Sequence, residues 1–395
     1  MKVLQINAVY GSGSTGTIVQ DIQKCCDISG IECYVAYASS SLKSVPNGYR
    51  IGNFFSNKLH ALLCRISGRQ GYFSFLPTLL FLRWLNSLNP DIVHLHNLHS
   101  NFINLNILLR YLARKKIRTI ITLHDCWFFT GGCFHYAAIE CDKWMKGCGD
   151  CPKRLMDTPA YLYDASARIW ADRKKYFNAI EQLDIVGVSK WISNEASKGF
   201  NCSRRILTIY NGVNRNIFKP TSSDLRIRLQ LNEKFVLLGP ASKWLSQINK
   251  KVLDYFVTNM DKDMVLVLFG VENWDFDLPN NIVQYGFTKD KKELAALYSM
   301  ADVFVNCSRE DTLSFINLEA QSCGTPVVSF SETGIAETVD KKSGYITTGW
   351  SEEDLFNGVM SIKRIGRKPI PILDASFGGD YASHYIELYR NSTQI

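Results

Sequence analysis

Residues 303–330 read VFVNCSREDTLSFINLEAQSCGTPVVSF. The apolar run Val303–Asn306 ends in a polar loop, helical spacing begins near Ser314, and Gly324 and Pro326 close that helix before a second apolar run at Val327–Phe330. A strand, a helix and a strand in so short a segment form a βαβ unit, which places the two strands parallel in one sheet.

The same alternation extends outward in both directions. Val3–Ala8, Tyr34–Ala38, Ile92–His96, Thr119–Leu123 and Ile185–Ser189 form a first series of apolar, β-branched runs. Ile206–Tyr210, Phe235–Leu238, Val265–Phe269, Ile282–Tyr285, Val303–Asn306, Val327–Phe330 and Tyr345–Thr347 form a second. The chain has 395 residues, 46% of them hydrophobic, which is enough for two cores. Two α/β, Rossmann-like domains in tandem follow, at 1–180 and 181–372, with residues 373–395 supplying a terminal helix able to pack back on the N-terminal domain. No short-period repeat and no low-complexity segment interrupts them.

Met1–Ile6 opens a strand rather than a signal peptide, and the most apolar stretch, Phe73–Leu85, is broken by Pro77 and Arg83 and falls short of a membrane span. A soluble, cytoplasmic protein is therefore expected. In that setting the 12 cysteines should be thiols or metal ligands rather than disulfides. The net charge of +8 is unevenly spread. Between Cys33 and His124 the only acid is Asp91, against Lys43, Arg50, Lys58, Arg65, Arg69, Arg83, Arg110, Arg114, Lys115, Lys116 and Arg118; about ten net positive charges collect there. No zinc-finger, basic-zipper or RNP-type motif supports nucleic acid. Phe54, Phe55, Tyr72, Phe73, Phe75 and Trp84 are interleaved with the bases, which suits an anionic membrane surface or a phosphate-bearing acceptor; a plain solvated basic face accounts for the charges equally well.

Gly11-Ser12-Gly13-Ser14-Thr15-Gly16 follows the first strand, a G-x-G-x-x-G that lets backbone approach a phosphate at a helix N-terminus or simply permits a tight turn. The second strand ends Ala38-Ser39-Ser40 without the acid that would hold a dinucleotide ribose, so a nicotinamide dehydrogenase is rejected. His94-Leu95-His96-Asn97-Leu98-His99 puts two imidazoles on one strand face, but too few histidines follow for a histidine-rich metal site, and a crevice lining at a strand end fits better. His124-Asp125 stands at the same level on the next strand. In the deciding stretch, Asp311 and Glu319 are eight residues apart, one at the helix entrance and one inside the helix. That spacing suits a ligand whose diphosphate meets the helix N-terminus while its sugar and ribose lie alongside.

These residues resemble the E-x7-E signature of retaining glycosyltransferase family 4 and its E-A-x-x-C-G-x-P-V-V continuation. Asp91–His96, Thr122–Asp125, Tyr210–Val213, Phe218–Pro220 and Gly334–Glu337 are similar to further landmarks of that family. The His94–His99 run and the cysteine-bearing segment after Cys126-Trp127 look like its colanic-acid, capsular and O-antigen branch. The resemblance implies a GT-B fold, with two parallel sheets facing across a cleft, and retaining transfer from a UDP- or GDP-sugar without a catalytic cofactor to a lipid-linked or oligosaccharide acceptor. It implies that Glu319 binds the donor ribose, that Asp311, with Glu310 as a possible substitute, meets the sugar, and that His124 faces the transferred sugar. Thr312, Leu313 and Ser314 join the donor site, Gly11, Gly13 and Gly16 lie near the diphosphate, and His96, Asn97, His99 and Arg69 form the acceptor side. The protein would then work at the inner face of the cytoplasmic membrane.

Two departures stand out. The first signature glutamate is an aspartate here, and the arginine that usually follows the first strand of the second domain is missing. Lys243 and Lys250 are the cations available near that place. A non-catalytic nucleotide-sugar-binding partner and a GT-B epimerase are the competing readings. Finally, Cys133, Cys141, Cys148 and Cys151 include a C-x2-C half-site, which suggests a structural zinc; disulfides and free buried thiols are the alternatives.

Overall fold

Two parallel sheets organise the chain. The computed structural model describes residues 1–157, 159–200, 204–270, 278–366 and 370–391. One compact unit comprises Met1–Tyr210 together with the residues from Asp380 on, and the other comprises Asn211–Gly379.

The first unit contains β1 (Lys2–Tyr10), β2 (Glu32–Ser40), β3 (Gly48–Arg50), β4 (Ile92–Leu95), β5 (Arg118–Leu123), β6 (Leu183–Gly187) and β7 (Arg205–Thr208), in the sheet order β3-β2-β1-β4-β5-β6-β7. Its central strands are buried along their length, as strands covered on both faces must be, and this is why they read as continuous apolar runs. The second unit contains β8 (Phe235–Pro240), β9 (Met264–Phe269), β10 (Ile282–Tyr285), β11 (Val303–Asn306), β12 (Val327–Ser329) and β13 (Tyr345–Ile346), ordered β10-β9-β8-β11-β12-β13. Trp244, Phe256, Leu266, Val305 and Phe330 fill its core.

The boundary differs from the one read in the sequence. Leu183–Gly187 pairs with β5 and Arg205–Thr208 pairs with β6, so both strands complete the first sheet and the division falls after Tyr210 rather than at 180. The terminal helix Tyr381–Arg390 lies in the first unit. Arg118 fixes it there: buried, it pairs with Asp184 at 2.9 Å and donates to the Leu388 and Tyr389 carbonyls at 2.9 and 3.1 Å. One charge counted in the basic stretch is thus an internal strut. Among the described residues no helix is long and apolar enough to cross a membrane.

Candidate active site

In open parallel sheets ligands bind beyond the carboxyl ends of the strands where the strand order reverses. In the second unit that point lies between β8 and β11. Asn249, buried, ties the two strand ends together: its Nδ2 donates to the Lys243 carbonyl at 3.1 Å and to the Cys307 carbonyl at 2.8 Å, while its Oδ1 accepts from Arg309 Nε at 3.3 Å. The Arg309 guanidinium also lies 5.5 Å from the centre of the Trp350 ring. Burial pushes the Cys307 thiol up to about 12, with Lys243 and Arg309 pulling the other way, so both cations act on the same spot. Lys243 and Lys250 are exposed, Lys250 at the start of the Lys250–Asn259 helix.

Beyond β11 the loop is braced before the helix Phe315–Ser322 begins. Asp311 accepts from the Leu313 N–H at 3.3 Å, and its own N–H donates to Thr333 Oγ1 at 3.1 Å. Ser314 precedes the helix, yet its hydroxyl makes no cap; it accepts from Asn306 Nδ2 at 3.0 Å. The positive end of the helix is therefore left without a side-chain cap, an arrangement suited to an anionic group. Thr312, Leu313 and Ser314 are buried, and Glu310 and Asp311 half-buried. Inside the helix, Glu319 accepts from the Tyr298 hydroxyl at 3.0 Å. Burial drives its carboxyl up to about 7, against the pull of Tyr298 and Lys291.

In the first unit the order reverses between β1 and β4. Gly11 and Gly13 occupy the left-handed region at φ 72° and 65°, and a Cβ on Gly16 would stand 3.2 Å from both the Gly11 nitrogen and the Val9 carbonyl oxygen. Gly16 thus serves close strand-to-helix packing, while the Cβ direction of Gly13 faces open space. Asn97 pairs with β1 through Ala8, its carbonyl accepting at 2.9 Å, and its N–H donates to Asn7 Oδ1 at 3.0 Å.

The histidines are ordered in sequence. Gln5 Nε2 donates to the Val19 carbonyl, which leaves Gln5 Oε1 to accept from His96 Nε2 at 3.1 Å. Burial holds His96 well below its ordinary value, so it is neutral and its Nδ1 carries the lone pair. His124 Nε2, 3.1 Å away, must then donate. Burial lowers His124 to about 4, so its Nδ1 is an acceptor at neutral pH. Gln5 therefore sets the tautomer of His124 through His96. His99 Nε2 lies 3.1 Å from Asp125 Oδ2; Asp125 stays below the usual carboxylate range despite its burial because His99 and the Trp127 N–H bond to it. We expect Gln5→Leu to free the His96 and His124 rings to take either tautomer. Imidazole 15N shifts that report the same His124 tautomer in wild type and variant would refute the relay.

His94, which the sequence groups with His96, is spent internally on Tyr389 at 2.6 Å and Thr122 at 2.7 Å. Arg69 is exposed and next in the chain to Gln70, whose Oε1 accepts the Trp127 indole N–H at 2.8 Å; it is joined to His99 only through that tryptophan, 5.8 Å from the His99 ring. At the expected zinc site Cys133, Cys141, Cys148 and Cys151 are free thiols, and among the described residues no group of three or more His, Cys, Asp or Glu side chains is disposed to hold a metal ion. Charged side chains on backbone groups brace this loop. Arg173 donates to the carbonyls of Trp127 and Thr130 and stacks 3.7 Å from the Trp127 ring. Asp157 accepts from the Phe134 N–H at 3.0 Å, and Asp164 from the Cys151 N–H at 2.7 Å.

Sequence reasoning missed Gln5, Asn249, Tyr298 and Arg309. Only Arg309 left a trace, two residues before Asp311 in the signature loop.

Two comparisons at the family level agree with this geometry. Residues 29–216 match the family described as Glycosyltransferase Family 4, and residues 237–362 match Glycosyl transferases group 1. The fold and these two domains define a glycosyltransferase of the GT-B type. Among individual proteins, the chain is similar to the putative colanic acid biosynthesis glycosyl transferase WcaC of Escherichia coli K12, 24% identical over 379 residues that cover 92% of this chain and 90% of the relative. In fold it is similar to sucrose-phosphate synthase of Thermosynechococcus elongatus, with TM-score 0.65, 15% identity and 98% of each chain covered. It is likewise similar to Anabaena Alr3699/HepE in complex with UDP and glucose, with TM-score 0.64, 15% identity, and 99% of this chain and 100% of that one covered.

Proposed function

We propose that this glycosyltransferase moves a sugar, with retention, from a UDP- or GDP-sugar to a lipid-linked or growing oligosaccharide in the synthesis of a bacterial surface polysaccharide. The observation that carries the reading is Arg309, with Lys243, beside the strand-order reversal, followed by an uncapped helix entrance and, within that helix, the half-buried Glu319. Arg309, Lys243 and the helix entrance neutralise the diphosphate as the glycosidic bond breaks. Lys250 reinforces them. Glu319 takes the ribose hydroxyls, and Asp311, with Glu310 beside it, takes the sugar. The departing phosphate oxygen accepts the proton of the attacking hydroxyl on the same face, so no separate base is needed. His124, neutral and with its Nδ1 an acceptor, orients a sugar hydroxyl; it does not carry a compensating charge. Gly11 and Gly13 offer backbone to the phosphates.

Asn97, His99 and Arg69 serve the acceptor side; His96, expected there from the sequence, is buried with both ring nitrogens engaged and acts only through His124. Exposed bases at Lys58, Arg65 and Arg83 beside exposed Phe54, Phe55 and Phe75 support attachment to an anionic membrane face. Similarity to WcaC supports the polysaccharide setting.

A donor panel tests the proposal. UDP-glucose, UDP-galactose, GDP-mannose and GDP-fucose are incubated with the full chain, with and without bacterial lipid extract, and nucleoside diphosphate release is followed. Release from one donor, accelerated by extract, is expected. Donor binding without release under either condition would instead make the chain a non-catalytic sugar-nucleotide binder.

A further inference from the structure

Helices Phe54–Ser67 and Phe75–Leu88, in the first unit, enclose a groove of 580 Å³ that the transfer chemistry does not use. Its size falls within the range of about 300–1,000 Å³ usual for small-molecule sites. Its lining mixes Leu59, Leu63, Phe73 and Leu80 with Arg50 and Ser56. Arg50 Nε donates to the Ala38 carbonyl at 3.2 Å, which anchors its side chain. His60, also in the lining, is 1% exposed: its Nδ1 is 2.7 Å from Ser74 Oγ, while its Nε2 is buried without a protein partner. Burial lowers its pKa to about 4, so the ring is neutral and adds no charge to the groove.

The rim is also apolar. Phe55 and Leu76 are 80% and 65% exposed, with Phe54, Leu62 and Leu79 beside them. Lys58, Arg65 and Arg83 stand on the same two helices, and Asp91 is the only acid between Cys33 and His124.

We infer that this groove is a lipid site that takes the hydrocarbon chain of a phosphate-headed lipid from the membrane face, with the phosphate at Arg50. The apolar walls suit a chain, and Arg50 in the lining, with exposed Lys58, Arg65 and Arg83 on the two helices, suits an anionic head rather than a neutral one. The exposed phenylalanines and leucines of the rim enter the leaflet beside it. The inference deepens the functional reading above and rests on it for the link to a lipid-borne acceptor; the site itself stands on the groove alone.

The test uses the full chain and dodecyl phosphate below its micellar concentration, followed by titration calorimetry. Wild type is expected to bind one molecule per chain. Leu59 and Leu80 are 57% and 45% exposed, so the double variant Leu59→Glu/Leu80→Glu should fold, which near-ultraviolet circular dichroism checks. It should bind dodecyl phosphate at least tenfold more weakly. Arg50→Ala should lose the preference for dodecyl phosphate over dodecyl maltoside. Equal affinity of wild type and double variant for dodecyl phosphate overturns the inference. So does attachment to phosphatidylglycerol vesicles that the double variant retains in full while neither protein binds the monomeric lipid. Sedimentation showing that a second copy of the chain occludes the groove also overturns it. Nucleoside diphosphate release is read in parallel: release intact with lipid binding absent removes the groove alone, and lipid binding intact with no release removes the transferase reading alone.

Discussion

Replacing Glu319 by glutamine is expected to weaken binding of the nucleotide sugar roughly 10- to 100-fold while making the protein more stable at pH 8. Both effects come from one buried carboxyl. As a carboxylate it accepts charge-assisted hydrogen bonds from the ribose hydroxyls, each of about 1.5–3 kcal/mol; the amide offers only a neutral acceptor. The stability effect has the opposite sign. Burial raises the carboxyl from 4.5 to about 7, so the folded protein favours the protonated form. A raised value means that full stability is present below about pH 4.5 and is lost progressively as pH rises to about 7. At roughly 1.4 kcal/mol per pH unit the loss reaches at most about 3.5 kcal/mol. Glu319→Gln removes that loss, so its melting temperature should exceed that of wild type at pH 8 and match it near pH 4.5. Wild-type donor affinity should fall as pH drops through 7, and that of the variant should be flat. A variant with wild-type donor affinity, or one less stable than wild type at pH 8, would mean that Glu319 is a packing residue and not the ribose ligand.

The second large effect is expected at Arg309. Arg309→Ala should reduce kcat about 10²–10³-fold, the usual loss when one preorganised stabiliser of developing charge is removed. The guanidinium is held on Asn249 Oδ1 and above Trp350, so it requires no reorientation as the diphosphate departs. Lysine has no Nε–H in a planar fork to meet Asn249 and should restore little. Asn249→Ala should reproduce part of the loss by releasing Arg309, with smaller effects on KM than on kcat. If Arg309→Ala leaves kcat intact and Lys243→Ala abolishes it, the phosphate is held by lysine alone and the arginine serves the loop. Affinity for the nucleoside diphosphate product should fall alongside kcat, because the same charge is bound after transfer.

The sequence by itself determined the layered fold. Alternating apolar runs and helical segments leave little choice but parallel βαβ units, and nearly every strand lies where its β-branched run predicts. Gly48–Arg50 escaped because an edge strand of three residues with no apolar face carries no periodic signal. The level of Asp311, Glu319, His96 and His124 in the sheets was legible for a similar reason: they follow strand ends or helix entrances, where chain position fixes the level, although which of them faces a ligand was not.

Tertiary structure decided the matters that depend on pairing across long stretches of chain. Arg205–Thr208 reads equally well as the last strand of one sheet or the first of another, and only its hydrogen bonds to β6 assign it. His94 and His96 look alike in sequence, yet the terminal helix claims the first through Tyr389 and Gln5 claims the second. The four cysteines have suggestive spacing, but the loop that carries them is shaped by Arg173 and Asp164, whose bonds to backbone groups leave no mark in the cysteine pattern. Arg309 shows the principle most plainly. It stands after β11 yet bonds Asn249 from the segment after β8, because adjacent parallel strands deliver residues from distant parts of the chain to the same edge, and a linear motif records only one of them.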